Sequence, residues 1–221
     1  MIFFRVGLEK VITLPPPKIL DIDEVEEVKR IVAVRTPDQV ESILNHDQVP
    51  FYAIREVCNK HGLEFHKHEF NQIVEESAII IRKFKDIIYQ QTDIINHFKK
   101  HFNRSRPIEV LPSLNTLPSE TNKTRSYPSG HACQSVVVAR YVAGKVPKLE
   151  KELMKAAYEC GYGRVIAGFH YLSDFEAGNL LGEKLYVLMN KMDYGAELPE
   201  DTARGTRIKF KDLSEALKNL V

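Results

Sequence analysis

Apolar residues recur at three-and-four spacings along much of this chain, the period of helices that bury one face. The strongest run extends from about His66 to Gln91, where Phe70, Ile73, Val74, Ile80, Ile81, Phe84, Ile87 and Ile88 form a single stripe. A shorter helix is expected at about 93–102. Thr36-Pro37-Asp38 marks another start, with Thr as N-cap and Pro in the first turn, and an end near Asn45. The next should begin at about Pro50 and stop at Gly62, a C-terminal cap. Three more are expected at about 130–144, 147–168 and 174–192. The first of these is apolar nearly all round (Val136, Val137, Val138, Tyr141, Val142), which suits a central position. The second contains Gly161, Gly163 and Gly168. A glycine costs a helix roughly 1 kcal/mol against alanine, so the cluster implies close helix contact. Ser173 and Glu176 fit a capping box, which places Asp174 in the first turn of the last helix.

Two stretches break the period. Residues 1–23 read as an extended strap, stiffened by Pro15-Pro16-Pro17. Residues 107–128 hold Pro107, Pro112, Pro118 and Pro128 among Ser, Thr and Asn. A long irregular loop inside a compact domain is usually functional or disordered, and this one should wall or cover a site. Strand signals are few. The expected fold class is all-α, a single-domain helical bundle over residues 24–192. A polar tail follows over 193–221, with a short helix near 211–220.

The length of 221 residues fits one domain, and 43% hydrophobic residues can fill a real core. A net charge of +1, from 31 basic and 30 acidic residues, gives no global attraction to nucleic acid or to an anionic membrane. No window approaches the roughly 18 apolar residues of a membrane span. The N-terminus Met1-Ile2-Phe3-Phe4-Arg5 lacks the regions of a signal peptide. A soluble, cytoplasmic protein is therefore expected, or a periplasmic or secreted one if a signal has been removed. Cys58, Cys133 and Cys160 are too few and too widely spaced for a disulfide framework or a zinc site. His61, His66 and His68 lie near Glu64 and Glu69 but show no paired metal-ligand spacing, and read as a solvated helix start.

The chemistry lies in three short motifs. Lys99 is followed after six residues by Arg106-Pro107. Pro128-Ser129-Gly130-His131 comes next. Arg164 is then followed after five residues by His170, and after three more by Asp174. Two guanidinium groups and an ammonium offer the fixed donors that a desolvated phosphate dianion needs. Ser129 and Gly130 open a helix, whose free N–H groups and positive end attract anions. Asp174 can accept from one nitrogen of His170 and so aim the other, as a lone pair, at a substrate. Each motif alone is a common pattern of surface or capping residues; what carries weight is all three in this order.

In this order the motifs resemble the signature of the phosphatidic acid phosphatase type 2 (PAP2) superfamily, over about residues 67–192. That superfamily includes bacterial class A acid phosphatases, lipid phosphatases and vanadium-dependent haloperoxidases. The resemblance implies a helical bundle of that type. It also implies His170 as the nucleophile that forms a phosphohistidine, Asp174 as its orienting carboxylate, and His131 as the acid and then base. Lys99, Arg106, Ser129, Gly130 and Arg164 would hold the phosphate. No metal or cofactor is implied for phosphatase activity, although vanadate could occupy the same pocket. The chain departs from the signature at Gly163, where the family has Ser before the arginine.

The leading expectation is a soluble, metal-independent phosphatase acting on a small phosphate monoester, with an optimum below neutrality because His131 must carry its proton. The alternatives are a vanadium haloperoxidase, whose known chains are much longer, a lipid phosphatase, and a non-catalytic phosphate-binding protein. No nucleic-acid partner is expected, and pairing of two copies through an apolar face is left open.

Overall fold

A computed structural model describes residues 13–17, 22–45, 47, 52–63 and 94–194, with side chains to Val187. The expected helices at 66–91 and 211–220, and His66 and His68, lie outside the described residues. Every regular element described is helical. In chain order they are α1 (Ile22–Ala33), α2 (Pro37–Asn45), α3 (Tyr52–Lys60), α4 (Ile94–Phe102), α5 (Pro107–Val110), α6 (Gly130–Lys145), a 3-10 turn (Pro147–Leu149), α7 (Glu150–Ile166) and α8 (Leu172–Tyr194).

The local signals act as expected at several ends. The Thr36 hydroxyl accepts from the Gln39 N–H, and the Gln39 amide oxygen accepts from the Thr36 N–H, a reciprocal cap on α2. Asn59 and Cys58 carbonyls close the end of α3 on Gly62, Leu63 and His61, with Gly62 at φ +65°. Helix α1 is a correction. It begins at Ile22, inside the stretch read as extended, and no element had been expected over the rest of it. Thr13–Pro17 do run without regular structure and touch the body: the Tyr127 hydroxyl donates to the Pro15 carbonyl and Lys184 Nζ to the Thr13 carbonyl at 2.7 Å.

Helix α6 is the centre of the bundle. Val136, Val138, Ala139 and Val142 are fully buried, and α6 packs chiefly against α7 and α8. The approach is close because glycines face it. A Cβ on Gly161 of α7 would lie 2.9 Å from Ala132 Cβ. On α8, a Cβ at Gly178 would lie 2.5 Å from the Ser129 carbonyl oxygen, and one at Gly182 would lie 2.7 Å from that of Cys133. Among the described residues, three apolar clusters hold the helices together. One joins α3, α6 and α7 through Ile54, Val142 and Leu153; a second joins α1 to α6, α7 and α8 through Val28, Ala132, Val165 and Phe175. A third sets Ile43 of α2 against Ile166 and Phe169. The three cysteines are buried and none is in a disulfide.

Candidate active site

The turn after α7 decides where the third motif points. The Gly168 N–H donates to the Val165 carbonyl and the Phe169 N–H to that of Arg164, a Schellman ending. Gly168 has φ +82°, and a Cβ there would come within 3.0 Å of Thr116 Cγ2, so both conformation and space call for glycine. Gly168 is thus the cap of α7, not part of it as expected.

Helix α8 starts at Leu172, two residues before the expected start. Its first turn is closed by Asp174 itself, whose Oδ2 accepts from the Tyr171 N–H at 2.9 Å. The Ser173–Glu176 capping box is therefore not the one formed. The Glu24 carboxylate of α1 accepts from the Ser173 N–H instead.

His170 and Asp174 are buried together, with His170 Nδ1 3.2 Å from Asp174 Oδ2. The Ser126 hydroxyl donates to that same Oδ2 at 2.5 Å. With Nδ1–H committed to the carboxylate, the neutral ring keeps its lone pair on Nε2, which lies 3.4 Å from Arg106 Nη1. Burial pulls the basicity of His170 well below its usual value, and the charges of Arg106 and Lys99 pull the same way, so the ring is neutral. Burial would raise the Asp174 carboxyl, but the hydrogen bonds from His170 and Ser126 and the charge of Arg104 outweigh it and keep it ionised.

The three motif cations are each about 95% buried. Backbone carbonyls aim them. Lys99 Nζ donates to the carbonyls of Arg125 and Ser126, and Arg106 to those of Thr124 and Phe169, at 2.6 and 2.8 Å. The Glu109 carboxylate accepts from the Arg106 N–H, fixing the backbone at the start of α5. Arg164 Nη2 donates to Thr121 Oγ1 at 3.0 Å, and its Nη1 pairs with Asp47 at 2.7 Å. The irregular loop of 107–128, which contains α5, thus threads between the cations and supplies the acceptors that orient them. Arg106 is drawn down to about 10 by burial, with Arg164 adding to the effect, and stays charged at neutral pH.

The second motif opens α6. Ser129 is the N-cap, its hydroxyl accepting from the Ala132 N–H, and its own N–H donates to the Asp174 carbonyl at 2.9 Å. The first turns of α6 and α8 are thereby tied together, with Gly130 half-buried beside Ile95. His131 donates from Nε2 to the Asp47 carbonyl at 2.8 Å. Burial, and then the charge of Arg164, push this imidazole down to about 4. The expected protonated His131 is therefore not the form that this environment favours.

All eight expected site residues are thus gathered at one place, where α4, α6, α7 and α8 meet the loop. Four others belong to it. Arg104 binds Asp174, Ser126 braces it, Asp47 pairs with Arg164, and Glu24 reaches in from α1. Arg104 and Ser126 stand beside motif residues and could have been picked out on that ground. Asp47 and Glu24 carry no local signal. Among the described residues, no three His, Cys, Asp or Glu side chains converge as a metal site requires.

Residues 87–195 match the PAP2 superfamily. A non-specific acid phosphatase of Salmonella typhi is 36% identical over 87 residues, 38% of this chain and 35% of that protein. One from Providencia stuartii is 31% identical over 128 residues, 57% of this chain and 46% of the relative. The chain thus spans between about a third and a half of the length of these relatives. Among solved structures, a transmembrane PAP2-type phosphatidylglycerolphosphate phosphatase from Bacillus subtilis is similar with a TM-score of 0.49. It is 20% identical, over 78% of this chain and 85% of that one. No described helix of the present chain is long and apolar enough to cross a membrane. With the three ordered motifs gathered at one place and the wider sequence matching alongside them, residues 87–195 belong to the PAP2 superfamily.

Proposed function

We propose that this chain is a metal-independent phosphatase that hydrolyses small phosphate monoesters through a phosphohistidine. The observation that carries the reading is the buried His170, held by Asp174 on Nδ1 and offering Nε2 beside the Arg106 guanidinium. Lys99, Arg106 and Arg164 would hold the three equatorial oxygens of the phosphoryl group and stabilise their charge during in-line transfer. The His170 Nε2 lone pair forms the N–P bond as the P–O bond to the leaving group breaks. The His131 ring, which takes up a second proton when the phosphate dianion arrives, gives one proton to the departing alkoxide oxygen and is left neutral. Water then attacks phosphorus, His131 takes its proton, the N–P bond breaks, and phosphate leaves. General acid catalysis of this kind is worth about 10²–10⁴-fold.

The acid phosphatase relatives support a monoester substrate, as does a pocket whose donors read only a phosphoryl group. Orthovanadate, a trigonal-bipyramidal mimic, would bind the same cations and inhibit.

The test is hydrolysis of p-nitrophenyl phosphate with a chelator present, with and without orthovanadate, together with mass spectrometry of the protein after an alkaline denaturing quench, which preserves an N–P bond. Turnover blocked by vanadate, and a phosphoryl group on His170 that is absent from His170→Ala, is the expected result. Undiminished turnover in His170→Ala would overturn the mechanism. Bromide oxidation by peroxide, dependent on added vanadate and without phosphatase turnover, would replace the reading with haloperoxidase chemistry.

A further inference from the structure

The buried ion pair that braces the catalytic carboxylate is made by two residues that the three motifs do not specify. Arg104 lies on the connection between α4 and α5 and is only about 10% exposed. Its Nη1 donates to Asp174 Oδ1 at 2.6 Å and to Ser173 Oγ at 2.7 Å. Its Nη2 pairs with the Glu24 carboxylate of α1, whose other oxygen accepts from the Ser173 N–H at 3.2 Å. The guanidinium lies flat over the Tyr171 ring, 4.0 Å from its centroid. Three elements are thus clasped by one planar fork, and apart from Glu24 every contact falls within residues 171–174, which directly follow His170.

The two oxygens of Asp174 are divided by this arrangement. Oδ2 receives His170 Nδ1–H, the Ser126 hydroxyl and the Tyr171 N–H; Oδ1 receives Arg104. A carboxylate so held cannot rotate without breaking a charge-assisted bond. Resting on the phosphatase reading above, we propose that Arg104, anchored by Glu24, is a positioning residue for the phosphoryl-transfer step. It locks the Asp174 carboxylate so that the Nδ1–H tautomer of His170 is kept and the Nε2 lone pair faces the cations.

The same geometry sets the charge that His170 experiences. Around the ring stand Lys99 of α4, Arg104 and Arg106 of the following connection, Arg164 of α7, Asp174 of α8 and, behind Arg104, Glu24 of α1. Ser126 of the loop adds a neutral hydroxyl. Burial disfavours charge on Arg104, but Asp174 and Glu24 outweigh it and hold the guanidinium above its ordinary value. Its positive charge offsets Asp174, which would otherwise draw a second proton onto His170. Removing it should therefore make the imidazole more basic. That protonates the lone pair required for attack.

The experiment uses the full chain as wild type, Arg104→Gln and Arg104→Lys. Long-range ¹H–¹⁵N spectra of the imidazoles, with His170→Ala to assign the ring, report the tautomer and titration of His170 without any substrate. The pH profile of p-nitrophenyl phosphate hydrolysis is measured alongside. In Arg104→Gln the His170 titration and the acid limb of kcat should both move up by about one pH unit. The rate at the optimum should fall on the order of 10–100-fold, as when an orienting partner behind a ligating histidine is lost. KM should change little. Arg104→Lys, which keeps the charge but not the fork, should keep the titration near that of wild type and recover only part of the rate. A normal His170 titration and tautomer in Arg104→Gln, with only thermal stability reduced, would overturn the proposal and leave Arg104 a structural clasp. Because the spectra need no turnover, an inactive wild type would count against the phosphatase reading alone.

Discussion

His131 donates its Nε2 hydrogen to the backbone carbonyl of Asp47, beside a guanidinium that repels a second proton. The ring is built to gain basicity only when negative charge arrives. A phosphate dianion among Lys99, Arg106 and Arg164 would supply that charge, so binding should take up a proton above pH 4, where the free ring is neutral. Calorimetric titration of phosphate at about pH 6 in buffers of different ionisation enthalpy measures the uptake. After correction for the protonation of phosphate itself, His131→Gln should bind with no protein proton taken up; an equal uptake in that variant would exclude His131 as its source. Another single residue explains a departure from the family pattern. A Cβ on Gly163 would lie 3.1 Å from Ile43 Cγ1, so α2 packs where a serine hydroxyl would stand. The motif arginine, by contrast, keeps its place at the end of α7.

Helices α6 and α8 meet through backbone atoms, because Gly178 and Gly182 lie one turn apart on the contact face. The atom that Gly178 crowds is the carbonyl of Ser129, the N-cap of α6, whose N–H in turn donates to the Asp174 carbonyl. Packing between these elements and geometry at the site are therefore one problem. Gly178→Ala should lower unfolding free energy by about 1–3 kcal/mol, the usual cost of forcing a methyl into a full interface. Since the helix itself gains from alanine, the sign tests the crowding: chemical denaturation showing equal or greater stability would contradict the close approach. At this scale much was legible. The Thr36 cap, the Gly62 ending and the all-round apolar α6 follow from side-chain chemistry that acts within a turn or two. Helix α8 starts before the expected residue because Asp174, a carboxylate of the candidate site, also closes its first turn. Helix α1 went unrecognised beside the proline run, although Val25, Val28 and Val32 do mark a face.

At the scale of the molecule, folding holds His131 and His170 in their neutral form and Asp47 and Asp174 in their charged form. His131 is pushed down to about 4 and His170 well below its usual 6.5. Between about pH 6.5 and pH 4 the unfolded chain binds protons at these rings that the folded protein refuses, so stability falls as pH falls. Asp47 and Asp174, held below 3.8 against the effect of burial, add a loss of the same sign on further acidification. Thermal unfolding should show Tm dropping from about pH 7 to about pH 4.5, and less steeply in His131→Gln. A flat Tm over that interval would mean that the rings titrate as freely in the folded protein as in the unfolded one.

The helical class, most positions of the described helices and the eight motif residues are legible along the chain, because periodicity, caps and ordered motifs are properties of neighbours in sequence. What assembles the motif residues is settled by contacts between distant segments. Glu24 reaches Arg104 from 80 residues away, Asp47 meets Arg164 across 117, and neither pairing leaves a trace in local spacing. The protonation of His131 was decided there too. A histidine's charge depends on burial and on cations brought near in space, and these exist only after the chain has folded.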